Sequence, residues 1–400
     1  MSPTRNANQP SPDHRKTKTA QTAFYFVAFI ALGLTTNSLG PTLMALSAHT
    51  KTGLEAISLV FVARSFGYLF GSLWCGKLFD FLPGHKVLQV SLLLMAAMLA
   101  LTPLATVLWL LLAVSVILGA TEGALDVGGN TLLLWARSDN AGHYLNALHF
   151  FFGVGSLLAP LLVAFSLTQS QDIWLSYWLI AALVLLLSLA LPRLPSPLPV
   201  NHETAAKPPG EMRLVVLLAL VFFFYTGVEV SFGGWIYTYA IAVEAATITS
   251  AAYLTSLFWA ALTLGRLLAI PFSQRFRPRA ILITDLAGSL LCLLLILLSR
   301  STSALWAGTC GLGLFMASVF PTLFVFAEQR MAISGRIASW FIIGASLGCK
   351  ITPYLIGHYF VRQGPQSLLW ISLASLLLAL STLLMALRLP VTQRGEAFSS

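Results

Sequence analysis

Apolar residues run along the chain in blocks of about twenty, long enough as helices to cross the roughly 30 Å of hydrocarbon in a bilayer. Such blocks extend over Ala23–Leu46, Glu55–Phe79, Val87–Ala105, Val107–Leu134, Tyr144–Ser166 and Trp174–Leu191. Residues 193–213 interrupt the pattern with prolines, glycines and charges, as a flexible linker does. Six more blocks follow, over Leu214–Val243, Ser250–Ser273, Ala280–Ser299, Ser303–Ala327, Ile337–Val361 and Leu368–Leu389. The pattern predicts an all-α integral membrane protein with twelve transmembrane helices, and no tract alternates at the length of a barrel strand. The expected division is a tail over 1–21, a six-helix half over 22–192, the linker over 193–213, a second half over 214–390 and a tail over 391–400. The first block is too long for a signal-peptide core and is read as a retained helix.

Composition agrees: 57% hydrophobic and 9% charged, with a mean hydropathy of +0.83, leaves too little polar surface for a water-soluble globule of 400 residues. A net charge of +9 would point to nucleic acid in a soluble chain, but here the bases fall between the apolar blocks. Lys77, Lys86, Arg137, Arg193, Lys207, Arg213, Arg275, Arg277, Arg279, Arg330 and Arg336 occupy one set of alternate connections, against only Lys51, Arg300 and Arg362 in the other. The positive-inside rule then puts both termini and the linker in the cytoplasm. The expectation is a multi-pass, monomeric protein of the plasma membrane, the inner membrane in a bacterium, with lipid and a small solute as partners and no nucleic acid. Cys75, Cys292, Cys310 and Cys349 lie inside apolar blocks at no metal-ligand spacing, so no disulfide, metal site or resident cofactor is expected.

A constant shift of about 194 positions brings Gly71 onto Gly265, Gly119 onto Gly313, Gly155 onto Gly348 and Pro160 onto Pro353. The matches span three pairs of blocks and predict a duplicated six-helix unit running in the same direction in both copies, with binding near the midplane between them. Under that shift Glu122, Asp126 and Asn130 fall on Met316, Phe320 and Phe324. Polar chemistry in one half faces oil in the other.

An ion at the bilayer centre costs roughly 2.5 to 3.5 kcal/mol on insertion scales, so each needs a partner, water or a function. Arg64, Glu122, Asp126, Glu229, Arg266 and Lys350 are read as such ions. Glu122, Asp126 and Asn130 recur every fourth residue, each turned about 40° from the last, and therefore share one helix face. Two carboxylates one turn apart repel in low dielectric, and a shared proton or a bound cation relieves the conflict. The plain alternative is that Arg64 simply neutralises Glu122. Glu229 precedes Gly233 and Gly234 in "GVEVSFGGWIYTYA" and reads as part of a binding wall with Trp235, or else as a buried partner of Lys350. Lys350 is either a structural tether or a fixed internal cation in the coupling machinery.

His149 stands about two turns into the fifth block, able to donate to a solute hydroxyl or to relay a proton, or merely bonded to a neighbour. Asn37, among Thr35, Thr36 and Ser38, is a midmembrane amide that either faces solute or joins helices. Trp109, Trp174, Trp306 and Trp370 fall at block ends, where indoles anchor at headgroups. Trp235, Trp259 and Trp340 are deeper and would suit the apolar face of a sugar ring, with core packing the alternative. Gly67 and Gly71, Gly119 and Gly123, and Gly344 and Gly348 form small-xxx-small pairs that let helices approach closely.

The connection "GKLFDFLPGHK" resembles the signature loop of the major facilitator superfamily through Gly76, Asp80, Gly84 and Lys86, with one extra residue and Phe81 where a base is usual. The resemblance implies a gating role for that loop, with Asp80 pairing across the cytoplasmic gate. "GATEGALDVGGN", "LHFFFGVGSLLAP", "GVEVSFGGWIYTYA", "FWAALTLGRLLAIP" and "FMASVFPT" resemble the branch that contains the fucose:proton symporter and the sodium-dependent glucose transporter-like proteins. The likeness covers most of both halves. It implies that Asp126 stands where the symporter has its coupling carboxylate and Asn130 where it has the following amide. The symporter's first-helix aspartate has no counterpart, that stretch reading "NSLGP".

The function expected is a secondary transporter moving a hexose-like sugar by alternating access, coupled to a proton or sodium ion that travels with it. The rival is a proton-coupled exporter of amphipathic molecules, which an aromatic pocket poor in hydrogen-bonding groups would favour. An intramembrane enzyme is not expected, since the short connections hold no His/Asp/Glu set of catalytic or metal-ligand spacing.

Overall fold

The computed structural model describes residues 12–79, 81–137, 141–197, 212–299, 301–331 and 335–389. Twelve helical spans among them are long and apolar enough to cross a membrane. The first six are α1 (Pro12–His49), α2 (Leu54–Ile57) with α3 (Leu59–Leu78), α4 (Gly84–Leu101), α5 (Leu108–Ala136), α6 (Ala141–Ser170) and α7 (Trp174–Ala190). After the connection come α8 (Met212–Ala242), α9 (Ile248–Arg275), α10 (Pro278–Ser299), α11 (Thr302–Met316) with α12 (Val319–Arg330), α13 (Gly335–Gln363) and α14 (Ser367–Arg388).

Two expected spans are broken. The second stops at Ser58, whose hydroxyl donates to the Glu55 carbonyl at 2.6 Å before α3 begins. The tenth breaks between Met316 and Val319 because Pro321 lacks an N–H and its ring crowds the carbonyl four residues earlier, that of Ala317. At the break the Met316 carbonyl accepts from the Tyr225 hydroxyl at 3.1 Å. The first residues of the expected linker are tied to the first half. The carbonyls of Leu194 and Pro195 are held by His85 Nδ1 at 3.0 Å and Gln21 Nε2 at 2.8 Å.

Duplication is visible in the packing. Glycines seat one helix against the backbone carbonyls of the next, where a side chain would not fit. Gly155 of α6 meets the Ile30 carbonyl of α1, and its repeat mate Gly348 of α13 meets the Phe223 carbonyl of α8. Gly119 meets the Arg64 carbonyl, and Gly313 meets that of Phe258. Gly71 meets the Ala120 carbonyl, and Gly265 approaches that of Leu314. Each receiving residue is displaced by the same interval as the glycine it receives, so the repeats share contacts as well as letters.

The halves meet along α1 with α8, α6 with α9, and α2 and α3 with α13. Gly40 lies against the Gly234 backbone, Gly357 against Ser58, and Phe61 against Trp235 with ring centroids 6.1 Å apart. At that end Glu55 of α2 takes His358 Nδ1 at 2.8 Å and Arg362 Nη2 at 3.3 Å, both from α13. The halves are thus closed together at the end bearing Glu55 and Arg362.

Candidate functional site

The ions of the first half are held in different ways. Arg64 reaches from α3 to Glu122 of α5 with two parallel hydrogen bonds, Nε to Oε2 at 2.7 Å and Nη2 to Oε1 at 2.6 Å. Nη2 also donates to the Thr35 carbonyl at 2.6 Å, and Thr36 donates to Glu122 Oε1 at 2.8 Å. Arg64 is 7% exposed and Glu122 2%. Such a forked, desolvated pair is saturated, so the neutralisation weighed for Glu122 is what the fold adopts.

Asp126, one turn on, takes no base among the described residues. Its carboxylate accepts from the Tyr68 hydroxyl and from Asn130 Nδ2 at 3.0 Å, while Asn130 Nδ2 also lies 2.9 Å from the Asp126 carbonyl. Asp126 and Asn130 are both partly open. The shared face of Glu122, Asp126 and Asn130 is therefore divided between a sealed ion pair and an available carboxylate.

In the second half Glu229 of α8 pairs with Arg266 of α9 at 3.5 Å and accepts from the Tyr225 hydroxyl one turn back. The partner weighed for Glu229 from the sequence was Lys350. The structure gives Arg266: α13 also packs on α8, but it presents Gly344, Gly348 and Thr352 to that helix, and among the described residues Lys350 makes no ion pair with Glu229. Tyr225 thus joins Glu229 to the break in the tenth span. Ser318, in the same break, donates to Asp285 of α10. Asp285 was missed among the midmembrane ions because it stands early in its block; the signals were an acid inside apolar sequence and the proline-broken "FMASVFPT".

His149 of α6 connects the two centres. It is exposed although it stands inside a membrane span, touches Phe29 edge-on at 6.0 Å between centroids, and feels the charges of both Asp126 and Arg266. Acted on by a charge from each half, on a helix that packs against α9, it lies between the halves.

Other expected site residues are placed differently. Asn37 Nδ2 donates to Ser156 Oγ at 2.8 Å and lies 3.2 Å from the Gly33 carbonyl, so its amide nitrogen ties α1 to α6. Of the two readings weighed for it, joining helices is the one these bonds serve. Trp235 is fully buried, with Phe360 at 5.2 Å and Phe61 on its flanks, and Trp259 is 7% exposed against Gly233 and Phe258. Both are core side chains and offer no open ring face, yet among the described residues neither indole N–H has an acceptor. Trp340 is half exposed near the start of α13, ten residues or about 15 Å along the helix from Lys350.

Of the loop residues, Asp80 lies outside the described residues and Gly76 falls within α3. Gly84 opens α4 directly over the Leu132 side chain, and Lys86 is exposed. His85 between them was not singled out from the sequence, although it carries most of the polar contacts here. It faces the Tyr25 hydroxyl at 2.7 Å through Nε2 and the Leu194 carbonyl through Nδ1.

Two halves of like fold, closed at one end and with charge between them, define a membrane transporter. The chain belongs to the Major Facilitator Superfamily, whose pattern it matches over residues 25–353. The sodium-dependent glucose transporter 1 of Xenopus laevis is 35% identical over 352 residues, covering 80% of this chain and 72% of that one. The sodium-dependent glucose transporter 1A of Mus musculus is 30% identical over 379 residues, covering 84% and 89% respectively. Among solved structures, that of the nucleoside transporter NupG superposes with a TM-score of 0.72 at 17% identity, over 94% of this chain and all of that one (100%). The protein is a secondary transporter of a small solute, built as two parallel six-helix repeats.

Proposed function

We propose that the protein moves a hexose-like sugar by alternating access, together with a proton or sodium ion taken up at Asp126. Asp126 carries this reading. It is the acid on the shared α5 face left without a base, held only by Tyr68 and Asn130, and it feels the same histidine as Arg266 of the opposite half. A cation bound there removes the charge that opposes closure of low-dielectric protein around it. Asn130 and His149 would then meet the solute hydroxyls. The relatives, sodium-dependent glucose transporters by name, supply the hexose and make sodium the first ion to test. With the basic connections in the cytoplasm, the closed Glu55 end faces outward.

The test is uptake of labelled hexoses into proteoliposomes under imposed sodium or proton gradients. Gradient-driven hexose accumulation is expected, and Asp126→Asn is expected to abolish it while sugar exchange persists. No uptake of any sugar, with efflux of lipophilic cations, would instead favour the exporter. Accumulation unchanged in Asp126→Asn would remove Asp126 from coupling.

A further inference from the structure

Two of the midmembrane bases are consumed by carboxylates, Arg64 by Glu122 and Arg266 by Glu229. Lys350 of α13 is not. Only 9% of it is exposed, and among the described residues its ammonium makes no ion pair and donates no hydrogen bond. Of the titratable groups around it, the Cys349 thiol acts on it electrostatically. Yet its nitrogen is not among the polar atoms sealed from solvent, so its tip meets accessible space.

Its direction follows from the helix. Gly344, Gly348 and Thr352 turn to α8, where they meet Ala219, Phe223 and Gly227. Lys350 stands instead with Tyr354, Gly357 and Val361, at the i, i+4, i+7 and i+11 positions of one face. Gly357 of that face meets Ser58, and Tyr354 and Val361 line a cleft with Glu55 and Leu59. The face therefore looks across at α2 and α3 of the other half, and Lys350 lies about two turns deeper than Gly357. The neighbouring Cys349 acts on Tyr68, the residue that holds Asp126. Lys350 thus approaches the coupling carboxylate's layer from the opposite half without touching the carboxylate.

An ammonium in a membrane span without a protein acceptor is open to one carried by whatever enters the accessible space at its tip. A cation cannot supply one, and a neutral sugar hydroxyl does so weakly beside a carboxylate. We infer that Lys350 is the anchor for an anionic group on the solute, so that the preferred substrates are sugar acids, hexose rings bearing a carboxylate. This rests on the hexose reading above and narrows it.

The experiment is ligand binding to the full-length protein in detergent, followed by thermal shift and equilibrium titration, with D-glucuronate, D-glucose and acetate as probes. Wild type is expected to bind D-glucuronate more tightly than D-glucose. Lys350→Gln is expected to weaken glucuronate by at least about tenfold, or 1.4 kcal/mol, and glucose by less than about threefold. Lys350→Arg should recover most of the loss, and acetate should give no shift, which together separate a charge anchor from a packing defect. Glucose binding with no preference for glucuronate, or glucuronate affinity unchanged in Lys350→Gln, would overturn the inference and leave the hexose reading standing. An equal response to acetate would overturn the sugar-acid class in favour of a simple anion site. Binding of neither sugar would overturn both.

Discussion

The Arg64–Glu122 pair permits a prediction in which single and double substitutions move in opposite directions. Replacing Arg64 with Met leaves a carboxylate that is 2% exposed with Thr36 as its one remaining donor. Replacing Glu122 with Gln leaves a guanidinium that is 7% exposed, still bonded to the Thr35 carbonyl. Breaking a buried pair from one side costs about 3–5 kcal/mol, whereas replacing both partners by apolar or neutral groups of similar volume is often neutral. Each single variant should therefore be lowered by several kcal/mol. Arg64→Met combined with Glu122→Gln should lie close to wild type, a coupling of about 3 kcal/mol or more. Cys75 supplies the reporter: it is 1% exposed on α3 and donates to the Ala124 carbonyl at 3.3 Å, so a thiol-reactive dye reads its release when α3 and α5 separate. Melting midpoints compared at one scan rate in one detergent are sufficient, since the unfolding of such a protein is a rate-limited loss. If the double variant melts as low as the sum of the two singles, the residues act independently and the pair is not the sealed unit described above.

Tyr68→Phe removes the hydroxyl that donates to Asp126 while keeping Asn130 in place. A hydrogen bond to a charged group contributes about 1.5–3 kcal/mol, so gradient-driven accumulation should fall at least about tenfold, with solute counterflow nearly unchanged. Equal loss of both activities would make Tyr68 a folding residue. Gly348→Leu drives a side chain into the Phe223 carbonyl and should abolish folded yield on size-exclusion chromatography. Gly53→Ala meets nothing within 4 Å at a φ of −75° and should leave yield intact.

What the sequence disclosed and what it withheld divide along a physical line. The spans, their number and the duplication depend on local hydropathy and on glycines whose spacing survives in the letters, so Gly155 and Gly348 were legible before their carbonyls were known. The common face of Glu122, Asp126 and Asn130 was likewise fixed by helical spacing. Which member is sealed depends on Arg64 arriving from another helix, and spacing within α5 contains no such information. The same holds for Asn37, whose direction is set by Ser156 more than a hundred residues away. Trp235 and Trp259 are large enough to serve either a core or a ring platform, and only the close approach of Gly357 and Gly233 decides for the core. Tyr225 and Tyr68 escaped notice because a tyrosine in an apolar block is ordinary until an acid is found at its hydroxyl.

The asymmetry between the repeats has an electrical consequence. The positions that hold Asp126 and Asn130 in one half hold Phe320 and Phe324 in the other, where they pack edge-on and tilted against Phe222, each with ring centroids 5.1 Å away. A turnover that loads one monovalent ion on Asp126 beside an uncharged hexose translocates net charge, and each 100 mV of membrane voltage then contributes about 2.3 kcal/mol to accumulation. With a carboxylate seated on Lys350 the same turnover is electroneutral and voltage loses its leverage. Currents on a solid-supported membrane, present with D-glucose and absent with D-glucuronate, would distinguish the two modes in one preparation.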